Sequence, residues 1–240
     1  MRIDILTLFP NMFEPLNESI IKRAVDDKKV EINIINIRDF ATPPHYKCDD
    51  EPFGGGAGMV MLSEPLFKAI ESVMTSNSKV FYMSPRGKVF NQKKAYEMSM
   101  FEHLILVCGH YEGIDQRVID YFNIEELSIG DYVLTGGELP ALVLTDTICR
   151  MVDGVLASEE CYEEESHFGG LLEYPQYTRP RVWEGQEVPE ILLSGHHKNT
   201  TQWKREQSLA QTLKKRPEML EKADLTEKDI EFLDKIKGKS

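Results

Sequence analysis

The chain has 240 residues, enough to bury a full hydrophobic core as one large domain or as two small ones. Hydrophobic residues make up 41% of it and charged residues 28%, which excludes intrinsic disorder as its default state. The net charge of −12 repels nucleic acid on average, but the distribution of charge along the chain matters more than the sum.

The first segment, MRIDILTLFPNMF, carries Asp4 inside its apolar run, which predicts a strand rather than a signal peptide. No apolar run approaches the length of a membrane span, so we expect no membrane partner. Cys48, Cys108, Cys149 and Cys161 lie far apart and form no C-x-x-C pair, which argues against a disulfide framework and against a zinc site. We therefore expect a reducing, cytoplasmic location.

Strands and helices alternate through the first two thirds of the chain. The segments RIDILTLF, VEINIINI, KVFYMS and HLILVCG are predicted strands. The segment SEPLFKAIESVM is a predicted helix with Ser63 as its N-terminal cap and Pro65 near its start, and NQKKAYEMSMF is another, with Asn91 as its N-terminal cap. This alternation predicts a parallel sheet with helices on both faces, with ligands at the carboxyl ends of the strands.

The pattern changes near Ala157. Residues 157–166 contain five glutamates and no apolar period, which predicts a solvated flexible linker between a domain over 1–156 and a small helical domain over 167–240. Helices are predicted at TQWKREQSLAQTLKKRP and, capped by Thr226, at TEKDIEFLDKIK. The segment Ser194–Pro217 has six basic residues against one acid, Glu206, and could therefore bind RNA. The six are Lys198, Lys204, Arg205, Lys214, Lys215 and Arg216.

The loop SIGDYVLTGGELP, Ser128–Pro140, follows a predicted strand and has three glycines but no basic residue. Between Gly109 and Pro140 the chain has seven acids and a single base, Arg117, so a phosphate-bearing ligand meets an unfavourable field. S-adenosylmethionine is cationic and lacks phosphate, and glycines let the backbone approach its adenine and ribose. Alternatively, these glycines only turn the chain.

Six motifs carry a family resemblance: FGGGAGMVM, YMSPRG, LVCGHYEGID, SIGDYVLTGGELP, GLLEYPQYTRP and LLSGHHKNTTQWKREQSL. In this order and spacing they resemble the bacterial tRNA (guanine-N1)-methyltransferases of the TrmD type, in the SPOUT class. The resemblance implies a trefoil knot that holds S-adenosylmethionine, a homodimer, and methylation of guanosine 37 of tRNA where another guanosine precedes it. It leaves Mg²⁺ possible, while the sequence offers no set of metal ligands.

The resemblance also implies the site residues. The general base falls at Glu165, where the family has aspartate before serine, with Glu163 and Glu164 as neighbouring alternatives. Arg150 is the implied partner of guanine O6, and Glu112 the implied residue near the methyl group. The implied cofactor contacts are Tyr82, Met83, Ser84, Pro85, Gly109, Ile129, Gly130, Asp131, Tyr132, Val133, Leu134, Gly136, Gly137 and Pro140.

Two other functions compete with this one. A non-catalytic RNA-binding protein would need only the basic C-terminal segment, but it would leave the glycine-bearing segments unexplained. A SPOUT ribose 2′-O-methyltransferase would keep the cofactor and change the acceptor, and resemblance over the whole chain disfavours it. His196 and His197 suggest a metal at first sight, yet no third ligand lies at metal spacing, so helix-start or RNA-contact roles are expected instead.

Overall fold

The computed structural model describes residues 1–156, 166–167 and 169–238. The chain divides into two compact units, Met1–Ser158 and Glu159–Ser240. Of the predicted linker over 157–166, only Ser166 is among the described residues, so the linker stays a prediction.

The first unit is built on a five-stranded parallel sheet, which confirms the predicted α/β class. Its strands run in the order β2-β1-β6-β5-β7, and their pairs are all parallel. They are β1 (Arg2–Thr7), β2 (Glu31–Asn36), β5 (Ser78–Val89), β6 (His103–Cys108) and β7 (Glu125–Ser128). Two short strands, β3 (Asp49–Asp50) and β4 (Val60–Met61), form a separate antiparallel pair.

Helices cover both faces of this sheet. They are α1 (Ser19–Asp26), α2 (Ser63–Val73), α3 (Gln92–Ser99), α4 (Gln116–Phe122) and α5 (Glu138–Arg150), with 3-10 turns at Pro10–Asn17 and Ile37–Phe40. Val80 and Tyr82 of β5 pack in one core cluster with residues of α2 and α4. Helix α5 packs across β1, β5 and β6, on the face to which the alternate residues Phe81 and Met83 point. This double coverage explains why every residue of β6 is buried.

Helix caps follow two of the three sequence predictions. The Asn91 side chain accepts a hydrogen bond from the Lys94 amide at 2.9 Å, and Thr226 forms a capping box. Ser63 is the first residue of α2 and makes no side-chain cap, so that prediction was wrong. Leu62 occupies the N-cap position instead. Its amide donates to the Cys48 carbonyl at 2.8 Å, which positions the residue that joins β4 to the helix.

The strand β5 pairs with β7 twice. Met83 lies opposite Leu127, and Lys88 lies opposite the same residue. One edge of a strand cannot hold two partners, so β7 runs between two stretches of β5. A Cβ at Gly87 would lie 2.4 Å from the Glu126 carbonyl carbon and the Leu127 nitrogen, so only glycine fits at this crossing. The strand predicted from the sequence ends at Ser84, whereas β5 continues to Val89, and its second pairing with β7 was not predicted.

A buried polar cluster joins the amino ends of the strands. Asp4 has no exposed surface and accepts hydrogen bonds from Arg2 at 3.1 Å and Asn33 at 2.8 Å. His103 Nε2 lies 2.9 Å from the Asp4 carboxylate, and His103 Nδ1 lies 2.7 Å from Ser78 Oγ. The cluster ties β1, β2, β5 and β6 together at one end and leaves their carboxyl ends to form a site.

The second unit contains the two predicted helices, α6 (His197–Lys215) and α7 (Glu227–Lys237). It also has an antiparallel hairpin, β8 (Val182–Trp183) with β9 (Gln186–Glu187), and 3-10 turns at Glu190–Leu193 and Pro217–Met219. Leu171, Leu209 and Leu233 form its buried core. Arg205 of α6 pairs with Asp229 of α7 at 2.9 Å. Burial opposes ionisation of Asp229, but the bonds from Arg205 and Thr226 outweigh it and lower the Asp229 pKa.

Candidate functional site

A cleft of about 240 Å³ lies at the carboxyl ends of β5, β6 and β7, where the alternation of strands and helices predicts a ligand site. Its walls are the segments Tyr82–Pro85, Gly109–Gly113, Leu127–Ile129 and Tyr132–Gly137, together with Pro140. Each of the first three segments contains or follows the end of a strand, and the fourth leads into α5. The parallel sheet therefore brings segments distant in sequence to one edge.

Most of the predicted cofactor contacts meet in this cleft. Gly130 and Asp131 are the exceptions. They belong to a turn in which Ser128 Oγ donates to the Gly130 carbonyl at 2.9 Å, so they shape the loop rather than line the cleft. Sequence reasoning missed several wall residues that adjoin predicted ones. These are His110, Tyr111, Gly113, Leu127, Ser128 and Thr135. Their position at strand ends was the signal that could have found them.

The cleft glycines make room for the protein itself. A Cβ at Gly137 would lie 2.8 Å from Cys108 Cα and 2.9 Å from the Gly109 nitrogen. A Cβ at Gly109 would lie 2.5 Å from the Tyr82 ring. The Gly137 amide donates to the Gly109 carbonyl at 2.8 Å, so the glycine loop is bound directly to the end of β6. Besides lining the cleft, these glycines therefore let two segments of its wall pack backbone against backbone.

The acidic field predicted from the sequence is weaker than the count of acids suggested. Bases from other segments and Arg117 neutralise three of the acids. Lys94 pairs with Glu125 at 2.8 Å, Arg86 with Glu126 at 3.2 Å, and Arg117 with Asp115 at 2.6 Å. The Arg117 hydrogen bond lowers the pKa of Asp115.

The described part of the cleft wall nevertheless has no lysine or arginine. Among these described residues, Glu112 has the one carboxylate. The Glu112 amide donates to the Met59 carbonyl at 3.0 Å, and the Glu112 side chain fills the space beside Gly58. A ligand rich in phosphate would find no charge partner here, whereas a cationic ligand would.

Two polar groups that the sequence analysis did not select adjoin the cleft. Glu138, the first residue of α5, is only 2% exposed, and it accepts a hydrogen bond from Thr7 Oγ1 at 2.8 Å. His110 Nδ1 is buried without a hydrogen-bond partner among the described residues. The His110 ring packs on Phe9, with the ring centroids 4.9 Å apart. Glu138 thus fixes the start of α5, and His110 offers a ring nitrogen next to the cleft.

The described cysteines are not set up for nucleophilic chemistry. Cys48, Cys108 and Cys149 are free and buried. Burial raises the pKa of Cys149 to about 12, and burial with the nearby Glu138 raises that of Cys108 well above the usual range. These thiols therefore stay protonated at neutral pH. Cys161 lies outside the described residues.

No group of three possible metal ligands occurs within the described parts of the chain. His196 is the N-cap residue of α6 and His197 its first residue, so both stand at a helix start, one of the two roles predicted. Within the same described parts, no helix is long and apolar enough to cross a membrane.

The three predicted catalytic residues are not together in the described chain. Glu112 lines the cleft, and Glu165 lies outside the described residues. Arg150 is the last residue of α5, whereas the cleft meets the start of that helix. At 1.5 Å per residue, Arg150 stands about 18 Å along the helix from Glu138. Arg150 is not among the residues that line the cleft of its own chain.

These features define an α/β protein with a ligand cleft at the carboxyl ends of parallel strands, closed by a glycine loop and free of cations. Residues 1–222 match the family model of tRNA (Guanine-1)-methyltransferase TrmD. The chain belongs to that family.

Curated relatives named tRNA (guanine-N(1)-)-methyltransferase agree with the family match. The protein from Clostridium botulinum strain Kyoto is 53% identical over 234 residues, covering 97% of both chains. That from Ruminiclostridium cellulolyticum is 56% identical over 226 residues, covering 92% of this chain and 97% of the relative. That from Clostridium perfringens is 53% identical, covering 97% and 99%. A methyltransferase family implies S-adenosylmethionine as the methyl donor.

Replacing Gly137 with alanine tests the role of this glycine. The added Cβ would push on the backbone of Cys108 and Gly109, so the substitution should cost about 1–3 kcal/mol in the free energy of unfolding. It should also abolish binding of S-adenosylmethionine, because the cleft wall moves. Urea denaturation measures the change in the free energy of unfolding. Titration calorimetry with S-adenosylmethionine, in a buffer with EDTA to remove metal ions, measures binding. Gly169→Ala, in open space, is the matched control. Parent stability and parent binding heat in Gly137→Ala would contradict the packing argument.

Proposed function

We propose that this protein transfers a methyl group from S-adenosylmethionine to N1 of guanosine 37 in tRNA, where guanosine 36 precedes it. The observation that carries the proposal is the family match over residues 1–222, which includes every residue of the cation-free cleft. The relatives' names give tRNA and guanine N1 as the acceptor. Position 37 and the preceding guanosine come from the resemblance of the sequence motifs.

The cleft fits the methyl donor. When bound, S-adenosylmethionine supplies an electrophilic methyl group on a sulfonium centre. The wall offers backbone groups of the glycine loop for the adenine and ribose, and no lysine or arginine to repel a cation. In the described cleft wall, Glu112 offers a carboxylate that can pair with a positive group of the donor. We expect the donor to bind without a metal, because its sulfonium centre already carries a good leaving group.

Methylation at N1 poses a definite chemical problem. The N1 atom of guanine carries a proton, and its lone pair becomes available only when that proton leaves and negative charge moves toward O6. A carboxylate near N1 can take the proton, and a guanidinium near O6 can stabilise the charge. We assign the first role to Glu165 and the second to Arg150. Glutamate in place of the family's aspartate adds one methylene and keeps the basic group.

We also propose that the first unit contains the trefoil knot of the SPOUT class. The supporting observation is the double pairing of β7 with β5, with Gly87 pressed against the Glu126–Leu127 backbone at the crossing. The chain then leaves β7, passes along the ends of β5 and β6, and enters α5 through Gly137. A strand held between two stretches of another strand is what a threaded chain requires.

A homodimer in which each subunit contributes residues to the site of the other would explain why Arg150 does not line the cleft of its own chain. On α5, Leu139 and Val143 are 48% and 46% exposed. Thr147 and Arg150 continue the same helical face, since residues spaced by 4, 8 and 11 positions lie nearly in line. A partly apolar stripe that ends in arginine suits a contact between two copies of the chain. We propose that Arg150 of each copy serves the cleft of the other.

The remaining parts of the proposal concern organisation and location. We propose that residues 1–156 hold the donor and residues 167–240 bind tRNA, joined by the linker over 157–166. In the second unit, Arg205 and Arg216 pair internally with acids, while Lys198, Lys214 and Lys215 are exposed and available to phosphate. Free cysteines at positions 48, 108 and 149 suit a reducing cytoplasm.

Product mapping tests the reaction directly. Two tRNA transcripts that differ only at position 36 are incubated with the protein and labelled S-adenosylmethionine. The label should appear as N1-methylguanosine at position 37 of the transcript with guanosine 36, and the transcript with adenosine 36 should be a poor substrate. A label on a ribose 2′-oxygen would support the alternative acceptor. No label in either transcript would leave a non-catalytic RNA-binding protein.

The general base is tested by Glu165→Gln, which keeps the size of the side chain and removes its basicity. Single-turnover methylation should slow by about 10²- to 10⁴-fold, while the affinity for S-adenosylmethionine stays unchanged. Glu165→Asp should keep much of the rate, and Glu164→Gln is the matched control. A normal rate in Glu165→Gln with a slow Glu164→Gln would move the base by one position.

Subunit sharing is tested by mixing two inactive variants. Arg150→Ala removes the O6 partner, and Leu134→Arg fills the cleft from a position that is 37% exposed and so tolerates the change. If Arg150 serves the partner's cleft, a mixed dimer has one intact site, and equal co-refolding should restore about a quarter of the parent activity. Folded mixed dimers without activity would show that Arg150 does not cross between subunits.

A further inference from the structure

The hairpin β8–β9 is a tightly defined element that the function proposed above does not use. Val182 pairs with Glu187 and Trp183 with Gln186. The two turn residues, Glu184 and Gly185, have φ values of 50° and 74°. Positive φ at both central positions is the geometry of a type I′ turn, which suits the twist of a two-residue hairpin. The side chains therefore have fixed directions, although the hairpin is short.

The hairpin exposes a large aromatic residue. Trp183 is 65% exposed and Val182 is 49% exposed. Every residue from Arg181 to Glu187 is exposed, so neither face of the hairpin is covered. A two-stranded hairpin buries too little surface for exposed side chains such as these to contribute much to the stability of the fold. An exposed tryptophan in a defined turn geometry is typical of a residue that contacts a binding partner.

The two faces of the hairpin differ in chemistry. Side chains alternate along each strand, and residues directly opposite each other share a face. Trp183 therefore shares its face with Gln186, and also with Arg181, whose carbonyl accepts a hydrogen bond from the Val188 amide at 3.0 Å and extends the ladder. The carboxylate Glu187 is on the other face, opposite Val182. One face thus combines an aromatic ring, a guanidinium and an amide without an acid.

Both ends of the hairpin are fastened to the first half of α6. Before it, the Tyr177 and Trp203 rings lie with centroids 6.4 Å apart, and Lys204 Nζ stands 4.5 Å from the Tyr174 ring centroid. After it, Thr200 Oγ1 donates to the Ile191 carbonyl at 3.3 Å. The hairpin is consequently attached near the start of α6, where Lys198 is exposed, whereas Lys214 and Lys215 are in the last turn of the helix.

We propose that this hairpin is a base-stacking element for tRNA, in which Trp183 stacks on an unpaired nucleobase and Arg181 contacts an adjoining phosphate. The inference rests on the function proposed above and adds a contact beyond the methylated guanine's chemistry. Every nucleobase has a face on which an indole can stack, and the unpaired bases of a tRNA are those in its loops. The arginine beside the ring supplies the charge that a phosphate needs.

The chemistry of the face that carries Trp183 favours RNA over a protein partner. Arg179 and Arg181 precede the exposed Trp183 along the chain, and Lys198 near the start of α6 is exposed as well. The acids of the hairpin are Glu184, in its turn, and Glu187, on the face opposite to Trp183. A second copy of this chain has a net charge of −12 and could pair with the arginine. It has no nucleobase that could stack on the indole. A tRNA supplies both the polyanion and the stacking face.

The affinity test uses three hairpin variants. Trp183→Ala should weaken tRNA binding and raise KM by about 5- to 150-fold, since stacking on one base contributes about 1–3 kcal/mol. The rate constant at saturating tRNA and the affinity for S-adenosylmethionine should stay at parent values. Trp183→Phe should keep most of the affinity, because it retains an aromatic face. Val182→Ala, a change at a neighbouring exposed residue on the opposite face, is the matched control and should bind tRNA as the parent does.

A fluorescence test identifies what the tryptophan touches. The chain has two tryptophans, so in a Trp203→Phe background Trp183 is the sole tryptophan, and excitation at wavelengths that tyrosine does not absorb reports on it alone. Its fluorescence should be quenched by tRNA and not by an RNA duplex without loops. Equal quenching by the duplex would overturn the stacking proposal. A blue shift that grows with protein concentration without RNA would overturn it too, and would assign Trp183 to a contact between copies of the chain.

The test separates this inference from the function on which it rests. A parent protein that binds and methylates tRNA while Trp183→Ala binds it equally well would overturn the hairpin's role alone. A parent protein that binds no tRNA would overturn both.

Discussion

The cleft depends on places where one stretch of backbone lies against another with no side chain between them. Gly87 lies on the Glu126–Leu127 backbone, and Gly137 lies on Cys108 and Gly109. These contacts fix the segments that follow β5, β6 and β7 relative to each other. Because packed backbone cannot yield as a flexible side chain can, the walls of the cleft are formed before any ligand arrives. A preformed wall spares the donor the cost of ordering the loop.

Electrostatics in this protein is arranged locally, and the net charge says little about what it binds. Lys94, Arg86 and Arg117 pair with three of the seven acids near the cleft, and the described residues of the cleft wall include no lysine or arginine. Exposed lysines and arginines occur in both units, and in α6 they include Lys198, Lys214 and Lys215. The net charge of the chain therefore does not show which local surface suits a cation or a polyanion.

Helix α5 connects several of these features. Its first turn contains the buried Glu138, which is held by Thr7 at 2.8 Å, and adjoins the glycine wall of the cleft. Its exposed stripe begins at Leu139, and its last residue is Arg150. A helix is a rigid rod, so a contact made along this stripe would also fix the position of the arginine. The proposal of shared sites follows from that geometry, because Arg150 is not among the residues that line the cleft of its own chain.

The sequence by itself determined the elements whose causes are local. The alternation of apolar runs predicted the parallel sheet, the caps at Asn91 and Thr226 are side-chain to backbone bonds within four residues, and the motifs identified the family. Tertiary structure decided whatever joins distant segments. It paired β7 with two stretches of β5, it supplied Lys94 and Arg86 to acids that looked unpaired in sequence, and it gave the cap position of α2 to Leu62 rather than Ser63. The reason is physical: a cap or a period is set by neighbours along the chain, whereas a crossing, an ion pair between segments and the wall of a cleft depend on which segments the fold brings within reach.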